Sequence, residues 1–153
     1  MITIEQISPD VARDLCCLIV AKLPGYFDLP EANEYYAEGV RTRTNLAAEL
    51  DGQYVGFVSI EFPYPTNASI FWMAILPEYH NQGIGKQLIE SAYNLAITKG
   101  ANTITVDTLS PKNADENYLK TYNFYLKNGF LPLFDLKPED SEWNMVYMVK
   151  NIR

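Results

Sequence analysis

A single histidine, His80, and two adjacent cysteines, Cys16 and Cys17, leave little from which to build a metal centre. Successive residues of a helix point roughly 100° apart. The two thiols can therefore neither pair readily with each other nor clamp one ion, and small buried hydrophobes is the plain reading of both. Carboxylates alone could hold a hard cation, but no acidic cluster at loop spacing is present, so no metal is expected. Positive charge is scarce as well: 12 Lys and Arg against 19 Asp and Glu give a formal net charge of −7. A nucleic-acid backbone requires clustered cations that this chain scatters, which excludes nucleic acid as the main partner. No apolar run approaches the length that spans a bilayer. The opening Met1-Ile2-Thr3-Ile4-Glu5 also has no basic region followed by an apolar stretch. These absences lead to the expectation of a cytoplasmic protein with no membrane partner.

What is present is enough for one proper core. The 153 residues are 48% hydrophobic and 20% charged, a globular balance. No internal repeat or low-complexity linker divides them, so residues 1–153 read as a single domain. Alternation over residues 2–7 predicts an opening strand. Pro9 then starts a helix to about residue 23, with Val11, Leu15, Leu18 and Ile19 inward. A second helix over residues 31–43 leads to strands over 46–50 and 54–62, joined by a hairpin signal at Asp51-Gly52. A turn over residues 63–67 delivers the chain to the apolar strand Ile70-Phe71-Trp72-Met73-Ala74-Ile75. Later strands are expected over residues 103–109, 131–135 and 143–150.

The most informative stretch follows the apolar strand. After Pro77, His80-Asn81-Gln82-Gly83-Ile84-Gly85-Lys86 opens a helix whose apolar stripe is Ile84, Leu88, Ala92, Leu95 and Ala96. A glycine turn at a helix N-terminus presents unpaired N–H groups and the positive end of the helix dipole, which suits phosphate. A side chain at Gly83 or Gly85 would hold phosphate oxygens off the backbone and disfavour positive φ. Lys86 adds a mobile cation. The spacing fits neither a P-loop nor a dinucleotide fingerprint, since Leu88 stands where the third small residue of the latter belongs. Read alone, the turn serves equally as a tight strand-to-helix connection.

A second motif resolves that choice. Phe124-Tyr125-Leu126-Lys127-Asn128-Gly129-Phe130 reads as the end of a helix, with Gly129 of the type that takes a left-handed position after the last turn and Phe130 beginning a strand. Together, His80-x-x-Gly83-x-Gly85 and Phe124-Tyr125-x-x-x-Gly129-Phe130 resemble the GNAT superfamily of acetyl-CoA-dependent N-acetyltransferases. Its signatures are Gln/Arg-x-x-Gly-x-Gly/Ala and a helix ending in Phe-Tyr-x-x-x-Gly-Phe. His80 departs from the first pattern. The resemblance covers most of the chain from about residue 54.

The resemblance implies an α+β fold, a mostly antiparallel mixed sheet of about seven strands flanked by about four helices. It also implies that strands 70–75 and 103–109 splay apart around the pantetheine arm of acetyl-CoA. Met73, Ala74 and Ile75 would contact that arm and the thioester, with a main-chain N–H near Ile75 stabilising charge on the thioester oxygen. His80, Asn81, Gln82, Gly83, Ile84, Gly85 and Lys86 would seat the pyrophosphate. In relatives an Asn often lies seven residues before the motif tyrosine; that position is Tyr118 here, with Asn117 one residue and so roughly 100° of helix away, and Asn123 is as good a candidate for the polar contact on the cofactor. Tyr125 would donate a proton to the departing thiolate, although Tyr118, Tyr122 and Tyr125 also lie at the spacing of one packing stripe.

Glu61 is a candidate base or water-organising carboxylate for the amine, weighed against an ordinary solvated strand end. Phe27, Tyr35, Tyr36, Phe62, Tyr64 and Trp72 could line an acceptor pocket or simply pack. The expected activity is transfer of an acetyl group to a primary amine of a small molecule or peptide. The alternative is an acyl-CoA-binding regulatory module without turnover. Family members are often dimers, and strand 143–150, taken as an edge with Trp143, Met145 and Tyr147 on one face, offers either a homodimer contact or core packing.

Overall fold

In the computed structural model, which describes residues 1–139 and 142–152, the chain divides into two units. The first holds residues 1–61 and 70–95; the second holds residues 62–69 and those from 96 onward.

The first unit starts with β1 (Ile2–Ile7), which pairs antiparallel with β2 (Thr44–Leu50), which in turn pairs antiparallel with β3 (Gln53–Tyr64). Asp51 and Gly52 join the last two with φ of 52° and 80°, the left-handed pair that a two-residue hairpin needs. β3 continues through Pro63 to Tyr64, so the turn expected to begin at residue 63 starts later. Between β1 and β2 runs α1 (Pro9–Lys22), capped by Ser8 Oγ, which accepts from Val11 N at 3.2 Å. Its buried stripe is Ala12, Leu15, Cys16, Ile19 and Val20. Two expected inward residues, Val11 and Leu18, are 39% and 44% exposed. The small side chains at Ala12 and Cys16 set the face that packs closest, turning the stripe by about one residue.

A second helix, α2 (Pro30–Gly39), ends in a single 3-10 turn over Val40–Thr42, so the expected helix to residue 43 is two pieces. Arg13 on α1 ties α2 down through Glu34 and Glu38. The core of this unit joins Ile19, Val40, Ala47, Phe57 and Trp72, and each large side chain buried there contributes roughly 1.5–3 kcal/mol.

Three elements cross the division, β3 among them, since its last residues from Phe62 belong to the second unit. β4 (Asn67–Ile75) begins in the second unit and ends in the first, and α3 (Ile84–Thr98) starts in the first. The second unit also contains β5 (Thr103–Leu109), α4 (Glu116–Lys127), β6 (Leu131–Leu136) and β7 (Met145–Asn151). Asn67 at the start of β4 donates through Nδ2 to Thr103 Oγ1 at 2.9 Å. β7 pairs antiparallel with β5 on one side and β6 on the other. The strand expected at the edge is therefore interior, and β6 takes the edge instead. The strand order is β1-β2-β3-β4-β5-β7-β6, and with four α-helices among the described residues it bears out the α+β class. No helix among them is long and apolar enough to cross a membrane.

Candidate active site

The first unit carries the glycine loop. Gly83 takes φ +80° with nothing within 4 Å of where a Cβ would stand. Only glycine occupies that conformation freely, and the space beside it is open. Asn81 is also left-handed, at φ 63°. Gly85, expected to share this freedom, has no positive φ and lies buried in the first turn of α3.

Gln87 N–H donates to Gly83 O at 3.2 Å, the first bond of α3. The N–H groups of Ile84, Gly85 and Lys86 therefore have no acceptor within the helix. α1 and α4 cap their own starts with Ser8 and Asp115, and α2 carries Glu31 in its first turn. α3 starts from glycine and has no acid in its first turn, so no acid of that turn meets its positive end. Lys86 is exposed beside it.

His80 does something the sequence did not signal. Its Nε2 lies 2.7 Å from Ile75 O and, facing a carbonyl, carries the hydrogen and donates. The other end of that peptide unit is held as well, because Leu76 N–H donates to Val55 O at 2.8 Å. The Ile75–Leu76 peptide is thus clamped from both sides. Behind it stands Gly56, where a Cβ would come within 2.8 Å of Ala74 O and 3.0 Å of Ile75 Cα. Met73, Ala74 and Ile75 are half-buried, and Gly56 is what allows this stretch to lie so close to β3. An isolated glycine within a strand pattern is the signal that could have found it.

Glu61 is engaged rather than free. Its Oε2 accepts from Arg43 Nε, and the Arg43 guanidinium lies over the Phe71 ring, 3.7 Å from the centroid. Arg43 Nη1 also donates to Gly39 O at 2.7 Å. Tyr35 and Tyr36 each meet Phe71 at 5.8 Å between centroids, and Trp72 meets Phe27, Tyr36 and Phe57. Of the expected acceptor aromatics, Phe27, Tyr35, Tyr36 and Trp72 form this cluster. Phe62 and Tyr64 belong to the second unit, where Tyr64 is 71% exposed.

The second unit carries Tyr125. It lies in the last turn of α4, buried edge-on between the rings of Phe124 and Phe130 at 5.4 and 5.5 Å. The α4 end is built as the sequence predicts: Gly129 has φ +92°, and Phe130 N–H returns to Tyr125 O at 3.1 Å. Burial first, and the charge of Asp107 second, push the Tyr125 hydroxyl well above the usual tyrosine range. It holds its proton throughout neutral pH. Asn123 is exposed, two residues and therefore roughly 200° round the helix from Tyr125.

Charge separates the units. The first contains twelve of the nineteen acids and five of the twelve bases, so the whole formal charge of −7 resides there; seven acids balance seven bases in the second. Among the described residues, no group of three or more His, Cys, Asp or Glu could hold a metal ion.

Comparison with known proteins gives concordant matches. A family model described as Acetyltransferase (GNAT) domain matches residues 41–132, more than half of the chain and including the glycine loop and Tyr125. An uncharacterized N-acetyltransferase from Chlorobaculum tepidum is 35% identical over 68 residues, 44% of each chain, so the match spans less than half the length of that relative. Among solved structures, a putative acetyltransferase of the GNAT family from Desulfovibrio desulfuricans superposes with a TM-score of 0.84 at 16% identity, covering 100% of both chains. An aminoglycoside 6'-N-acetyltransferase complexed with coenzyme A superposes with a TM-score of 0.75 at 18% identity, covering 99% of this chain and 97% of that one.

Proposed function

Since the chain belongs to the GNAT acetyltransferase family, we propose that it moves an acetyl group from acetyl-CoA to a primary amine by direct attack in a ternary complex. The observation that carries this reading is the start of α3, where backbone donors, an open left-handed glycine and a first turn without an acid suit a pyrophosphate. Amides of Ile84, Gly85 and Lys86 hold the phosphate oxygens, with Lys86 as a local cation. Met73, Ala74 and Ile75 bind the pantetheine arm through their main chain, in the manner of an added strand. His80 contributes by fixing the Ile75–Leu76 peptide rather than through phosphate.

The amine nitrogen bonds to the thioester carbonyl carbon, the carbon–sulfur bond breaks, the sulfur takes the proton that Tyr125 has kept until that step, and Tyr125 regains a proton from solvent. The proton lost by the amine goes to solvent, because Glu61 is held by Arg43. A main-chain N–H near Ile75 steadies the negative charge on the carbonyl oxygen. The acidity of the first unit draws a cationic amine towards it, in keeping with a structural neighbour named for its action on aminoglycosides.

The test is a panel of polyamines, aminoglycosides, lysine-containing peptides and free peptide N-termini, assayed for release of the CoA thiol. Saturable release that requires both acetyl-CoA and one class of amine is expected. Tight acetyl-CoA binding with no release across the panel would instead mark a non-catalytic acyl-CoA-binding module.

A further inference from the structure

Gly39 ends α2 at an ordinary helical φ of −61°, so its backbone does not call for glycine. The space around it does. A Cβ there would stand 2.7 Å from Cε2 of the Phe71 ring and 3.3 Å from Arg43 Nη1, so the missing side chain is what lets ring and guanidinium lie against the helix end. Arg43 is then held on three sides. Its Nε donates to Glu61 Oε2, its Nη1 donates to Gly39 O at 2.7 Å, and its guanidinium carbon lies 3.7 Å from the Phe71 centroid.

A guanidinium and a carboxylate can join at two points; these two join at one. Arg43 Nη2 and Glu61 Oε1 have no partner among the described residues. The two side chains are 21% and 34% exposed, shielded enough to strengthen a hydrogen bond and open enough to be reached. The pair therefore offers one donor and one acceptor on groups already fixed in place, which a ligand can use without the cost of ordering them.

The pair also stands close to the proposed chemistry. Phe71 precedes Met73 by two residues and Ile75 by four on β4, roughly 7 and 13 Å at the rise of a strand. A group a few bonds beyond an amine at the thioester falls within that span. Tyr35 and Tyr36 meet the Phe71 ring as well, and Tyr35 is exposed, so an aromatic wall borders the pair.

We infer that the Arg43–Glu61 pair recognises the acceptor through amide groups next to its reacting amine, with Nη2 donating to a carbonyl oxygen and Oε1 accepting from an amide N–H. The acceptor is then an amino-acid amide or a peptide read at its free amine, two sources of the same chemistry. Charge selects this class. A polyamine would seek Glu61, whose charge Arg43 already neutralises. A free carboxylate would face the twelve acids and five bases of the first unit. An amide brings no net charge and supplies both an acceptor and a donor. The inference rests on the proposed acetyl transfer and narrows its acceptor.

Titration of the whole protein in the presence of CoA, followed by NMR, reads binding apart from turnover. Alaninamide and alanyl-alaninamide should bind with dissociation constants roughly tenfold below those of alanine, n-hexylamine and spermidine. Tighter binding of the dipeptide than of alaninamide names a peptide as the source, and equal binding names an amino-acid amide. Arg43→Gln should weaken both amides roughly tenfold and erase their advantage, with an unchanged circular dichroism spectrum. Equal binding of all five compounds, tighter binding of alanine or spermidine, or a preference that survives Arg43→Gln overturns the inference. Should Arg43→Gln misfold, the Arg43 Nε–H resonance of the wild type decides. A shift with the amides and none with n-hexylamine supports the contact, and its absence refutes it. Amide binding without thiol release from acetyl-CoA would leave this site standing and sink the proposed activity, whereas thiol release without amide preference would do the reverse.

Discussion

The two units solve opposite electrostatic problems with the same material, the protein backbone. The first carries all of the net negative charge and yet holds the proposed anion cradle; the second is neutral and yet keeps a phenol from ionising. In the first, three amides at the start of α3 act over hydrogen-bonding distance, whereas the scattered carboxylates act through screened solvent over a Debye length of about 8 Å. Local donors therefore outweigh net charge. In the second, removal from water does most of the work on Tyr125, and Asp107 adds to it.

The sharpest way to break that division is Tyr125→Phe. The ring packing against Phe124 and Phe130 survives, the proton does not, and kcat should fall on the order of 100-fold while acetyl-CoA affinity by titration is unchanged. An equal loss in both would move Tyr125 into the binding half. Gly83→Val tests the other half. Nothing crowds the new side chain, but the left-handed backbone is strained by about 1–2 kcal/mol and the cradle is obstructed, so acetyl-CoA affinity should drop roughly tenfold or more with little change in kcat at saturation.

A smaller effect is expected at His80→Ala, which frees the Ile75 carbonyl. The account predicts a loss of kcat of a few fold, with acetyl-CoA affinity held, because the ring fixes a peptide rather than gripping phosphate. A loss in affinity alone would return His80 to the pyrophosphate.

The smallest is a pH effect on stability. Burial first, and Cys17 second, push the Cys16 thiol up to about 12 from an ordinary value of 9.0. Above the ordinary value the unfolded chain releases this proton while the folded one keeps it. The contribution is therefore complete below pH 9 and is lost as pH rises towards 12. Denaturant titrations across that window should show a shallower decline in Cys16→Ala than in the wild type.

How much of this was legible depended on distance along the chain. The α4 end, from Tyr125 through Gly129 to Phe130, could be read because its chemistry is contained in six consecutive residues. The cradle could be read for the same reason, except that Gly83 and Gly85 look alike in sequence and differ in conformation, one before the helix and one inside it. The Arg43–Glu61 pair could not, since Arg43 stands just before β2 and Glu61 on β3, and they meet only through the register of those strands, which a bulge after Ala48 shifts. Nor could the edge. β7 follows β6 in the chain but inserts between β5 and β6, so the apolar alternation of residues 143–150 described an interior strand. The α1 stripe sits about one residue round from the pattern of its large side chains, because the small Ala12 and Cys16 are on the buried face.

The central claim is that the backbone cradle of the first unit binds acetyl-CoA and that the second unit supplies the proton for its chemistry. Calorimetric titration of acetyl-CoA into the wild type, Gly83→Val and Tyr125→Phe proteins tests it most directly. The account predicts saturable binding in the wild type, equal binding in Tyr125→Phe and markedly weaker binding in Gly83→Val. No heat and no thermal shift with the wild type, or binding untouched by Gly83→Val, would contradict it.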